Sequence, residues 1–252
     1  VTFNHTIDGG QALTVNSVAG DVTFTGAVGA TTSLGGLSVN ASAGDGDIIF
    51  TSTIGDADTI GVVGTTAIGG TATEDITFSS TIYKFDGTTT ITAAAGDNID
   101  VAAAASFTTA ADDITFATGN IALADGANLT IDTGAGAGDI TIGAEIAGTS
   151  VETVTIDAGT GTASVGVIGN STEIGVLTIG SAENGGITLN GAIVTDGAVT
   201  IDGPVTLATG AVSVTTANDA ITFNHSIDGG QTLTLVAGTA ATALQGAIGG
   251  TT

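Results

Sequence analysis

The chain has 252 residues, of which 25 are acidic and one, Lys84, is basic, for a formal net charge of −24. A chain with one Lys and no Arg cannot neutralise phosphates, which excludes nucleic-acid binding and leaves anionic membranes repelling it. Absence of Cys excludes disulfides and thiolate metal sites, while 42 % hydrophobic and only 10 % charged residues exclude a disordered acidic tail.

The predicted elements begin at the first residue. Val1-Thr2-Phe3 opens a series of apolar–Thr/Ser–apolar triplets that continues as Leu13-Thr14-Val15, Val22-Thr23-Phe24 and Leu37-Ser38-Val39. Ile76-Thr77-Phe78, Ile114-Thr115-Phe116, Leu129-Thr130-Ile131 and Ile140-Thr141-Ile142 follow. The second half adds Val154-Thr155-Ile156, Leu177-Thr178-Ile179, Val199-Thr200-Ile201, Ile221-Thr222-Phe223 and Leu233-Thr234-Leu235, among others. Ile48-Ile49-Phe50 and Ile99-Asp100-Val101 are variants. Alternation at period two puts both apolar residues on one face and the hydroxyl on the other, so each triplet is a short β-strand. The intervening Gly, Ala, Asp, Asn and Thr are turn formers. With 41 Gly and no apolar stripe at helical spacing, no helix is expected.

A second pattern is a 12-residue module with paired glycines, VGATTSLGGLSV at 28–39 and IGNSTEIGVLTI at 168–179, with IGDADTIG at 54–61 and IGGTT at 248–252 as partial copies. Gly at both ends of a four-residue link marks a corner that needs positive φ or close backbone approach. At larger scale, VTFNHTIDGGQALTV (1–15) returns as ITFNHSIDGGQTLTL (221–235), eleven of fifteen positions identical at an offset of 220. GAVGATT (26–32) returns as GAIGGTT (246–252) at the same offset. This is a repeat architecture.

These features predict an all-β fold, a parallel β-helix (β-solenoid) in which each coil lays its strands over those of the coil before. No linker or composition shift divides residues 1–252, so a single solenoid segment is expected, one super-repeat plus the start of the next. At about 20–28 residues a coil it would hold about 9–12 coils, a rod on the order of 45–60 Å long. No polar cap is visible at either end, and an uncapped solenoid offers open strand edges. Phe3, Phe24, Phe50, Phe78, Phe116 and Phe223 all stand third in a triplet and are expected to form one interior aromatic column.

The recurring DVTF and DITF phrases, LTV and GAVG resemble the repeats of giant bacterial β-strand-repeat exoproteins, the filamentous-haemagglutinin-like adhesins. The resemblance is one of rhythm and composition over the whole chain and carries no catalytic or binding motif. It implies a right-handed hand for the β-helix, prokaryotic origin, and export to the cell surface or beyond it.

Candidate sites are few. Gly44-Asp45-Gly46-Asp47-Ile48 and the stretch ending Gly138-Asp139-Ile140 are similar to the calcium nonapeptide, which makes Asp45, Asp47 and Asp139 the candidate Ca2+ ligands. The tandem nine-residue period is missing, and calcium needs six to eight oxygens, so turn capping is the competing reading. The same holds for Asp56 with Asp58 and for Asp112 with Asp113. His5 and His225 are one repeat position seen twice, with no nominated partner ligand. Outward Thr would form ladders along the rod, but one Thr per triplet does not build the two ranks of an ice binder. An enzyme is not expected: Lys84 alone cannot hold acidic glycans, and no acidic pair stands out for glycosidase chemistry. The expected function is structural, an extracellular fibre, filament or surface layer built by end-to-end continuation, its partners further copies of itself head to tail. The alternative is a spacer in a surface adhesin whose binding domain, lying elsewhere, meets a host or neighbouring cell. Neither needs a cofactor or membrane insertion.

Overall fold

A computed structural model describes residues 1–41, 46–180, 185–208 and 210–250. Among them every regular element is a β-strand, most of three to five residues, and there is no helix. All strand pairs are parallel. They stack into ladders of seven, eight, ten and three strands, and the chain winds as a β-solenoid about ten turns high.

Each turn visits three faces in a fixed order. The first face runs Thr2–Phe3, Val22–Phe24, Ile48–Phe50, Ile76–Phe78, Asn98–Val101, Asn120–Leu123 and Ile146–Ala147. Single bridges Ile146↔Ile168 and Ile168↔Ile193 carry it on into Ile193–Thr195, Val212–Thr216 and Leu233–Val236. The second face begins as the bridges Ile7↔Val28, Val28↔Ile54 and Ile54↔Tyr83, then becomes the eight-stranded ladder from Ile82–Lys84 to Thr242–Leu244. The third face is the ten-stranded ladder from Ala12–Ser17 to Ile227–Asp228, with Ile248 bridged above it.

The triplets explain the cross-section. In Ile76–Phe78, Ile114–Phe116 and Ile221–Phe223 the outer two residues are buried and the central Thr is not. Three inward stripes meet along the axis in one apolar core. Like lies over like because the register is in phase: Val22↔Ile48↔Ile76 and Phe24↔Phe50↔Phe78. Polar residues break the rule on two faces: Thr195 and Thr216 are buried one above the other on the first. Thr66 and Thr89 point inward on the third face between Leu37 and Ile114, and the Thr66 hydroxyl has no hydrogen-bond partner.

The six triplet phenylalanines do not make one column, which corrects that expectation. Phe3, Phe24, Phe50 and Phe78 stack on the first face with ring centroids 4.9, 4.8 and 5.5 Å apart. Phe116 belongs to the third face and Phe223 to the second. A shared place in the triplet sets inward direction, not the face. Above Phe78 the aromatic packing crosses the core instead. Tyr83 and Phe107, stacked at 4.9 Å on the second face, meet Phe78 edge-on at 4.7 and 4.9 Å, and Phe107 meets Phe116 edge-on at 5.4 Å. Burial pushes the Tyr83 phenol far up, and its oxygen accepts the Ser80 amide at 2.8 Å.

Candidate functional site

The polar chemistry lies at the corners and on the outer faces. Just before the strands of the first face stand Asp21, Asp47 and Asp75, one above another. Each carboxylate accepts a backbone amide of the next turn: Asp47 N–H to Asp21 at 3.2 Å, Asp75 N–H to Asp47 at 3.1 Å, Asn98 N–H to Asp75 at 2.7 Å. Asp113 and Asp139 do the same before the third face, accepting from Asp139 at 2.9 Å and from Thr162 at 2.7 Å. Here the side chain replaces a strand carbonyl and extends the ladder by one residue. Of the candidate calcium ligands, then, Asp47 and Asp139 each spend one oxygen on an amide, and Asp45 lies outside the described residues. Among the described residues no group of three or more His, Asp or Glu is placed to hold a metal ion.

Asp100 stands on the outer side of the first face opposite Thr77, with Asp75 diagonal to it. Burial raises its pKa, and the negative charges of Asp75 and Asp47 raise it further. Asp56 is held below the usual range by the amides of Asp58 and Thr59, at 2.8 and 2.6 Å, a capped turn with Asp58 following it in the chain. Lys84 Nζ donates to the Ala57 carbonyl of the same loop. Asp113 acts in its ladder, while the Asp112 carbonyl accepts the Thr109 hydroxyl at 2.5 Å. His225 Nε2 lies 3.4 Å from Asp202.

Among the described carboxylates that sequence reasoning did not single out, Glu152 makes the most ties. Glu152 is buried in the corner between Ile146–Ala147 and Thr153–Asp157. Burial pushes its pKa up, but hydrogen bonds from the Thr149 hydroxyl and amide, from its own amide and from Gly126 outweigh this and hold it below the ordinary range. Thr149 N–H donates at 2.6 Å and Gly126 N–H, one turn below, at 3.2 Å. The Glu152 carbonyl accepts Gly175 N–H and Val176 N–H from the turn above, at 2.9 and 3.1 Å. One residue thus ties three successive turns. The signal was present: Thr149-x-x-Glu152 has the spacing of a capping box, used here at a strand corner.

The outward hydroxyls form single ranks. On the second face they run Ser106, Thr130, Thr155, Thr178, Thr200 and Thr222, each paired with the next. On the third they run Thr90, Thr115, Thr141, Ser164, Thr188 and Thr206. Surface depressions are shallow. One of about 350 Å³ is lined by Ala12, Gly36 and Ala67, another of about 290 Å³ by Asp100, Ala102 and Ala122. Neither contains the two carboxylates that glycosidase chemistry uses. No family model, curated protein or solved structure matches this chain.

Proposed function

We propose that this chain is the repeating structural material of an extracellular fibre, filament or surface layer, lengthened by end-to-end continuation of the solenoid. The observation that carries the reading is a repeat boundary inside the molecule. Residues 221–250 begin the second copy of the super-repeat, and they stack on the first copy without a break in any ladder. Val199 pairs with Ile221, Val212 with Leu233 and Val205 with Ile227. A coil that accepts the opening of the next copy as its neighbour is the unit step of continued growth. Each step adds backbone hydrogen bonds and buried apolar side chains, with no partner of different chemistry required. The high negative charge keeps fibres apart sideways.

The second reading is a rod-like spacer of a surface adhesin, favoured by outer faces of small residues and single hydroxyl ranks. Electron microscopy of the isolated 252-residue chain, with the native gene product sized alongside, separates the two. Long filaments from the chain, or a native product made of this repeat from end to end, support the fibre. Dispersed rods of about 50 Å, with a native chain carrying a distinct tip domain, overturn it in favour of the spacer.

A further inference from the structure

The two copies of the repeat do not lie on the same faces. Phe3 is on the first face and its counterpart Phe223 on the second. Ile7 is on the second and Ile227 on the third. Leu13 is on the third and Leu233 on the first. Phe24 and Leu244, then Val28 and Ile248, show the same shift, from first to second and from second to third. Every counterpart has moved on by one side of the three-sided coil.

The turn count agrees. Val212–Thr216 is the tenth passage through the first face, nine turns above Thr2–Phe3, and Ile221–Phe223 lies one face further on. The offset of 220 residues is therefore nine and one-third turns, not a whole number.

What permits this is that the corners are interchangeable. The glycine that follows the first apolar residue of the 12-residue module has φ +66° at Gly29, after Val28 on the second face, and +67° at Gly169, after Ile168 on the first. At Gly249, after Ile248 on the third, it is +65°. Gly26 and Gly246 occupy the same repeat position at different corners. A Cβ on either would stand 2.2 Å from the carbonyl carbon of the histidine one turn below, His5 or His225. One local sequence thus builds one local geometry at any of the three corners.

From this we infer that a continued array turns its repeated surface by one face per super-repeat, so that each outward patch is displayed on three sides in succession. The inference rests on the continuation proposed above. With strands about 4.8 Å apart, equal patches recur about every 45 Å along the axis, one third of a turn apart, and return to the same side only at the fourth copy. No single face keeps one character along such a fibre. A partner, including a second fibre, that recognises one face can follow it for no more than one repeat. A ligand that recognises one patch is met from three directions.

The chain has no cysteine, so gold clusters can be placed at will. Thr14 and Thr234, counterparts at the 220-residue offset, are both exposed, as is Thr206, eight turns above Thr14 on the third face. In electron micrographs of the full chain, Thr14→Cys with Thr206→Cys measures the twist that accumulates along one face. Thr14→Cys with Thr234→Cys should show a further rotation of about one third of a turn. The full chain extended by two further copies of residues 33–252, with cysteine at each counterpart of Thr14, should then form one unbroken rod with clusters on three sides. An unbroken rod with clusters in single file, once the measured twist is subtracted, overturns the inference and leaves the fibre standing. A rod that breaks at each junction overturns both.

Discussion

At the scale of single residues, position in the triplet decides energetic weight. Phe78 is fully buried and touches rings on two faces, Phe50 on its own and Tyr83 and Phe107 on the next. Phe78→Ala should cost about 3–5 kcal/mol in a denaturant series, because a narrow coil cannot collapse around the hole. Thr77→Ala, one residue away on the outer side, should cost less than about 0.5–1 kcal/mol; equal losses would contradict the inward and outward assignment. Glu152 carries a different kind of weight. Its pKa is depressed in the folded chain, so its stabilisation is complete above the unfolded value of about 4.3 and is lost as pH falls through the lower folded value. Glu152→Gln should therefore cost roughly 1–3 kcal/mol at pH 7, with the gap to wild type closing in acid. A gap that persists unchanged to pH 2 would show that the charge contributes nothing there. In and out was legible in the sequence for the Phe residues, since alternation is local. Glu152 was legible only in part: the spacing to Thr149 is local, but its carboxylate's amide one turn below and its carbonyl's two amides one turn above are each more than twenty positions away in the chain.

At the scale of strands and corners, the same locality explains what the sequence reveals and what it hides. Period-two alternation and paired glycines were enough to read parallel strands, corners and a stacked core. They were not enough to say which face a strand joins. Phe116 and Phe223 sit in triplets indistinguishable from that of Phe78, yet join other ladders. The face depends on how many residues the preceding corners consume, and these vary: the second face receives only the bridge residues Val28 and Leu34 between Val22–Phe24 and Gly36–Ala41, but a full strand at Ala105–Thr108. Corner glycines allow a sharper test, because one module position can be examined with and without a turn stacked on it. Gly29 has φ +66°, and a Cβ there would fall 2.0 Å from the Gly61 carbonyl oxygen of the next turn. Gly249 has φ +65° with nothing within 4 Å. Gly249→Ala should cost only the left-handed backbone, about 1–2 kcal/mol. Gly29→Ala should cost clearly more, since two backbones must also part. Equal melting temperatures for the two variants would mean that the turns are not stacked as closely as the ladders require.

At the scale of the whole molecule, electrostatics is almost entirely repulsion. With 25 carboxylates and one lysine, and turns stacked at about 4.8 Å, carboxylates of neighbouring turns lie well inside the screening length of about 8 Å at physiological salt. Asp100 shows the effect locally, its pKa raised by burial and then by Asp75 and Asp47. The ladder carboxylates answer part of the strain by accepting amides of the next turn, work that uses their oxygens as acceptors rather than as a cage for a cation. Two outcomes follow for thermal melting. Monovalent salt should raise the melting temperature steadily, because screening relieves the folded coil more than the expanded chain. Calcium, compared with magnesium at equal ionic strength, should add nothing, and a chelator should leave the transition in place. A specific calcium site filled at a hundredfold excess over its dissociation constant would add about 2.7 kcal/mol, or roughly 5–10 °C in a chain of this size. A fall of that size on chelation would therefore be plain in a single scan. It would mean that turns such as Asp47 and Asp139 gather a cation across neighbouring coils, and that the solenoid is held by divalent ions as well as by backbone pairing.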